Sequence, residues 1–153
     1  IDPVWDENSK VLILGSFPSV KSREEGFFYG HKQNRFWKVV ANVCNCPVPQ
    51  NIDDKKAMLL ANGIAVWDVI HSCDIVGSSD SSIKNVVPND IADIIQKSHI
   101  ERIFTNGKKA DELYKKYIEQ TVGISAECLP STSPANAVWT LEKLCEEWKI
   151  IQK

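Results

Sequence analysis

The sequence predicts an α/β fold, a four-stranded parallel sheet with helices on both faces. Two observations carry that reading. Short strand-like segments occur four times, and the first two, Val11 to Leu14 and Ile64 to Trp67, are continuously apolar, as strands covered on both sides are. Each run is followed by a segment of helical periodicity, and alternating strands and helices imply right-handed crossovers around a parallel sheet. A third observation gives the fold a working edge. Every run ends in a polar turn, and ligands of such sheets bind outside the carboxyl ends of the strands.

The elements follow in order. Val11-Leu12-Ile13-Leu14, ending at Gly15, is the first strand. Phe36, Val39, Val40 and Val43 recur at i, i+3, i+4 and i+7, the stripe of an amphipathic helix. Asp53 to Asn62 reads as a second helix, closed by Gly63. Ile64-Ala65-Val66-Trp67 is the second strand. From Ser72 to Ser82 the composition turns to Ser, Asp and Gly, which predicts a loop. Asn89 or Asp90 caps a helix carrying Ile91, Ile94 and Ile95. Ile100 to Thr105 is the third strand, and Ala110, Leu113, Tyr114 and Tyr117 stripe the helix after it. Glu127-Cys128-Leu129 lies in a short fourth strand. Ser133 as N-cap and Pro134 at the first helical position open the last helix, with Leu141, Leu144, Trp148 and Ile151 facing inward.

At 153 residues the chain suits one domain, 1–153. That size supports a core without a metal or disulfide staple. With 18 Lys+Arg against 20 Asp+Glu, the formal charge is −2, which argues against coating nucleic acid by bulk positive charge. A grip on a few phosphates remains open. No run approaches the ~20 apolar residues of a membrane span. The N-terminal residues lack the pattern of a secretory leader. The five cysteines show no C-x-x-C spacing, so the expectation is buried, reduced thiols in a cytoplasmic protein.

Nucleotide and metal chemistry find little support. There is no G-x-G-x-x-G, and Gly107-Lys108 lacks the rest of a P-loop. His31, His71 and His99 share no helical face, so neither a metal nor a cofactor is expected. Two stretches are informative. Gly26-Phe27-Phe28-Tyr29-Gly30-His31, followed by Asn34-Arg35-Phe36-Trp37, sets three aromatics between glycines in a loop. Aromatics kept in a loop are either a stacking surface or a plug beneath it. Asn34 reads equally as an N-cap for a helix starting at Arg35. The second stretch, Pro130-Ser131-Thr132-Ser133-Pro134-Ala135-Asn136, is a stiff hydroxyl-rich loop suited to a phosphate or to plain helix capping.

Together these stretches resemble the uracil-DNA glycosylase superfamily. His31, Asn34, Arg35, Phe36 and Trp37 match the His-x-x-Asn-Arg-Phe-Trp signature of mismatch-specific uracil/thymine glycosylases, with Gly26 and Tyr29 in register. The similarity is greater to the deoxyinosine (hypoxanthine-DNA) glycosylases. It includes Gly15-Ser16-Phe17-Pro18-Ser19, Trp67-Asp68-Val69-Ile70, Ser72-Cys73, Gly77-Ser78 with Asp80, and Pro130 to Asn136. The resemblance implies a three-layer α/β/α sandwich and removal of deaminated bases without metal or cofactor. It also carries a departure: where most of the superfamily has Asp or Asn to position water, this chain has Phe17.

With that position taken by Phe17, Asn34 is the catalytic candidate, its oxygen holding a water against the sugar C1′. Glycosidic cleavage passes through an oxocarbenium-like state, so weak activation suffices. Ser16, Phe17, Phe28, Tyr29, His31 and Asp68 are the candidate substrate-binding residues. Phe28 or Tyr29 would stack on a flipped base, and Asp68 would accept the ring imide N–H that hypoxanthine and uracil share and adenine lacks. Ser19, Lys21, Arg35, Ser131, Ser133 and Asn136 would meet DNA. The expected partner is DNA containing deaminated bases, met by a monomer. Two rivals stay open, a non-catalytic nucleic-acid-binding module of the same fold and a small-molecule α/β protein.

Overall fold

A computed structural model describes residues 1–75 and 83–153. The strands are β1 (Val11–Gly15), β2 (Ile64–Asp68), β3 (Ile70–Ile75), β4 (Ile83–Pro88), β5 (Arg102–Asn106) and β6 (Ala126–Leu129). The helices are α1 (Val20–Glu25), α2 (Phe36–Val43), α3 (Ile52–Ala61), α4 (Ile91–Gln96), α5 (Lys108–Tyr117), α6 (Glu119–Val122) and α7 (Leu141–Trp148), and a 3₁₀ turn follows at Lys149–Gln152.

The main sheet is parallel and ordered β2-β1-β5-β6. β1 pairs on both sides, with Leu12 opposite Ala65 and Ile103. Its successive side chains therefore enter two cores. Val11 and Ile13 pack with Phe36, Val39 and Val40 of α2, Leu59 of α3, and Leu144 and Trp148 of α7. Leu12 and Leu14 pack with Ile91 and Ile94 of α4 and Leu113 and Tyr114 of α5. The α/β/α sandwich and its four parallel strands are as the sequence predicts. Each large apolar side chain so buried contributes roughly 1.5–3 kcal/mol. The chain leaves β1 in one direction and returns on its other side at β5, so the switch point lies between these strands, at Gly15 and Asn106.

Several local readings are corrected. The segment read as a loop from Ser72 to Ser82 belongs partly to a two-stranded antiparallel sheet, β3 with β4. Residues 76–82, with Gly77, Ser78 and Asp80, lie outside the described residues. The last helix does not start at Ser133. It starts at Leu141, capped by Thr140, whose hydroxyl accepts the Lys143 N–H. Residues 133–139 form turns because Arg35 binds the carbonyls of Ser133, Asn136 and Trp139, which a helix would bond internally. A helix at Val20–Glu25 interrupts the expected loop after β1. Only Cys145 among the described thiols is buried; Cys44 and Cys46 are half-buried, and Cys128 is exposed on edge strand β6. All four are unbridged. Among the described residues, no helix is long and apolar enough to cross a membrane.

Candidate active site

A cleft of about 260 Å³ opens at the switch point. Drug-sized ligands occupy roughly 300–1,000 Å³, so this space suits a single base. All four strand ends contribute. Gly15 to Ser19 come from β1, Asp68 from β2, Asn106 from β5, and Ser131 to Pro134 from the turn after β6. Phe28, Tyr29, His31 and Asn34 close it from the aromatic loop.

Asp68 ends β2 and is only 6 % exposed. Burial raises its carboxyl from the ordinary value of 3.8 to about 7. The Asn89 amide donates to its backbone carbonyl at 2.8 Å, which fixes the strand end. Gly15 leaves room for the carboxylate. A Cβ there would lie 2.5 Å from Asp68 Oδ1 and 3.0 Å from the Tyr29 hydroxyl oxygen. Tyr29 has φ of 53°, a left-handed conformation that costs a non-glycine residue about 1 kcal/mol or more. Its ring stacks on Phe36 with centroids 4.1 Å apart. Its hydroxyl is buried without a hydrogen-bond partner, and the Asn106 side chain approaches it without reaching bonding geometry. Desolvation, and the Asp68 carboxyl beside it, keep this phenol protonated.

Asn34 lies just before α2. Its Oδ1 accepts the Phe36 N–H at 3.0 Å and the Thr132 hydroxyl at 2.8 Å. The helix starts at Phe36 rather than Arg35, but Asn34 still satisfies a free N–H of its first turn. Thr132 is fully buried and bonds Asn106 twice, its N–H to Oδ1 and its Oγ1 from Nδ2, both at 3.0 Å. Arg35 N–H donates to the Thr132 carbonyl at 3.1 Å. Loops distant in sequence are thus tied at one place.

A family model described as the uracil DNA glycosylase superfamily matches residues 3–153. The chain belongs to the uracil DNA glycosylase superfamily. It is 33% identical over 150 residues to a hypoxanthine DNA glycosylase of Methanosarcina acetivorans, covering 97% of this chain and 93% of that protein. A hypoxanthine DNA glycosylase of Methanosarcina barkeri is 31% identical over 136 residues, covering 88% and 85%. The solution NMR structure of a uracil DNA glycosylase candidate from Methanosarcina acetivorans superposes with a TM-score of 0.82 at 29% identity, covering 99% of this chain and 96% of that one.

Within this superfamily member, the cleft gathers many of the sequence candidates. Ser16, Phe17, Ser19, Phe28, Tyr29, His31, Asn34, Asp68, Ser131 and Ser133 all line it. Phe28 is 2 % exposed and Phe27 4 %, so both serve mainly as the plug beneath the loop. Phe17 is half-buried and offers a further aromatic surface. His31 is exposed, and its Nδ1 accepts the Gln33 N–H.

The residues expected at DNA differ in availability. Lys21 is exposed and pairs with Glu24 at 3.5 Å. Arg35 is turned inward, its guanidinium held by three carbonyls. Asn136 donates to the Ser131 carbonyl at 3.0 Å. The Ser19, Ser131 and Ser133 hydroxyls each accept a nearby backbone N–H. None of Lys21, Arg35 and Asn136 lines the cleft. Sequence reasoning missed Thr132 and Asn106 as site residues. Their only signal was position, each in a polar turn at a strand's carboxyl end. Among the described residues, no cluster of three or more His, Cys, Asp or Glu could hold a metal.

Proposed function

We propose that this protein is a monofunctional DNA glycosylase that takes a flipped, deaminated base into the cleft and hydrolyses its N-glycosidic bond. Hypoxanthine is its first substrate and uracil its second. The observation that carries this reading is Asp68, a buried carboxyl at the base of a one-base cleft in a chain of this superfamily. As a carboxylate it accepts the ring N–H of hypoxanthine or uracil, and it meets a lone pair at the same ring position of adenine. The names of the two archaeal relatives support hypoxanthine. Ser16, Phe17, Phe28, Tyr29 and His31 surround the base, and Asn34 stands at its sugar. Ser19, Lys21, Ser131 and Ser133 face the phosphates, and Arg35 and Asn136 hold the turn that presents the last two. The protein acts on DNA as a monomer in the cytoplasm, with neither metal nor cofactor.

Unstacking a base costs a few kcal/mol, and less at a mispair. Base–aromatic stacking returns about 1–3 kcal/mol. A panel of duplexes carrying inosine, uracil, xanthine or normal bases, treated with alkali after incubation, reads this function directly. Strand breaks at inosine are expected to exceed those at uracil, with none at adenine. Lesion binding with no strand breaks would establish the non-catalytic module, the reading that Phe17 in place of the usual Asp or Asn favours.

Gly15→Ala tests the tight contact beneath the base. The added methyl must displace Asp68 or Tyr29. Inosine cleavage is expected to fall about tenfold to a hundredfold, since an ångström of misplacement costs up to about a hundredfold. Stability should drop by about 1–3 kcal/mol, the usual cost of overpacking, read by urea denaturation.

A further inference from the structure

One hydrogen-bond chain in the cleft has its polarity fixed from both ends. At one end the Thr132 N–H donates to an oxygen of Asn106 at 3.0 Å. A backbone N–H only donates, so this contact identifies Oδ1. The other side-chain atom of Asn106, 3.0 Å from Thr132 Oγ1, is therefore the amide Nδ2. That N–H occupies the acceptor side of the hydroxyl and turns its proton to Asn34, 2.8 Å away. At the other end the Phe36 N–H donates to the same atom of Asn34 at 3.0 Å. The atom is thus Oδ1, and both its lone pairs are taken. What Asn34 has left for a ligand is Nδ2, which carries two hydrogens and no acceptor.

The geometry points to Thr132 as a positioning residue that locks the Asn34 carboxamide as a hydrogen-bond donor to the departing base. This inference rests on the glycosylase reading above, and it changes the role of Asn34 from holding water to stabilising the leaving group. In the reaction the bond from C1′ to the base nitrogen breaks, and its electron pair stays with the base. Water gives its hydroxyl to C1′, and its proton ends on the released base. Negative charge therefore grows on the ring nitrogens and carbonyl oxygens of the base. A donor fixed beside them binds the transition state more tightly than the ground state. Thr132 is 0 % exposed, so water cannot replace its hydroxyl without rearrangement.

The test compares three variants on an inosine duplex. Asn34→Asp puts an oxygen where Nδ2 stands. A donor role predicts a loss of at least about a hundredfold in kcat, the scale of removing one oxyanion donor. Activity equal to or above the parent would mean that an acceptor for water is what the position needs, and would overturn the proposal. Thr132→Val deletes the hydroxyl and keeps the shape. It is expected to lower kcat by about tenfold or more with KM nearly unchanged, and Thr132→Ser is expected to restore most of the rate. A loss confined to KM, or no recovery with serine, would also overturn it. The side-chain NH2 signals of Asn34, followed by NMR without DNA, are expected to shift in Thr132→Val and return in Thr132→Ser. Unmoved signals would overturn the lock itself. A parent protein that releases no base from any duplex would instead sink the glycosylase reading, with the NMR result still deciding the lock.

Discussion

Asp68→Asn is expected to make the protein more stable and less selective. Burial raises the carboxyl from 3.8 to about 7. Between those values the folded protein keeps a proton that the unfolded chain has lost. Stability therefore falls as pH rises through this window and levels off above it. Each pH unit of the window is about 1.4 kcal/mol, so ionised Asp68 costs the fold up to roughly 4 kcal/mol above pH 7. An amide of the same shape carries no such cost. Urea denaturation at pH 5 and pH 8 is expected to show the largest gain at pH 8 and a flatter pH dependence overall. A variant no more stable than the parent at pH 8 would show that the carboxylate is not desolvated.

The effect on selectivity has a separate cause. A carboxylate only accepts, so it takes the N–H of hypoxanthine and repels the ring lone pair of adenine. An amide offers both a donor and an acceptor and pairs with either base by turning over. The parent should therefore be inhibited by free hypoxanthine far better than by free adenine, with inosine cleavage rising through pH 7. In Asp68→Asn the inhibition ratio is expected to collapse by about a hundredfold, the scale of a lost polar mismatch, and the rise with pH to vanish. An unchanged ratio would remove Asp68 from base recognition.

Arg35→Ala is expected to cause the largest loss of stability. The guanidinium donates to the carbonyls of Ser133 and Asn136, each at 3.0 Å, and to that of Trp139. Hydrogen bonds to a charged group contribute about 1.5–3 kcal/mol, and a buried partner left bare costs as much again. Losing the set is expected to remove about 3–5 kcal/mol, a fall of roughly 6–20 °C in Tm for a chain of this size. Arg35→Lys should recover little, because an ammonium cannot reproduce the planar fork. Full stability in Arg35→Lys would show that charge alone holds the turn. Since the turn also carries Thr132 and Ser133, inosine cleavage should fall with stability.

The fold was largely legible because its first two main-sheet strands, β1 and β2, are apolar on both faces. Ile13 and Leu14 enter opposite cores, so no alternation hides them. The convergence of four strand ends followed from the topology rule, which placed Asp68; Asn34 came from the resemblance of its His-x-x-Asn-Arg-Phe-Trp stretch. The missed parts have different causes, some of them a partner distant in sequence. Ser133-Pro134 has the chemistry of a helix start, but Arg35 takes the carbonyls that such a helix needs. Val20–Glu25 has no apolar stripe, and its helix is set by Ser19 capping the Ser22 N–H. The β3–β4 pair takes in Ser72 and Asp74, which read as loop residues within the stretch from Ser72 to Ser82. The polarity of the Asn34 amide is set locally by the Phe36 N–H, as its capping position allows, and at a distance by the Thr132 N–H on Asn106, which no spacing reveals.

The tie between Arg35 and residues 133–139 has a consequence for biosynthesis. A ribosome makes Arg35 104 residues before Trp139, at about 5–20 residues each second. Through that interval the guanidinium has no carbonyls to bind, and Asn34 has no hydroxyl from Thr132 to orient it. A nascent chain is therefore a folding sheet with a dormant site, and one cut before Trp139 would leave that site unassembled.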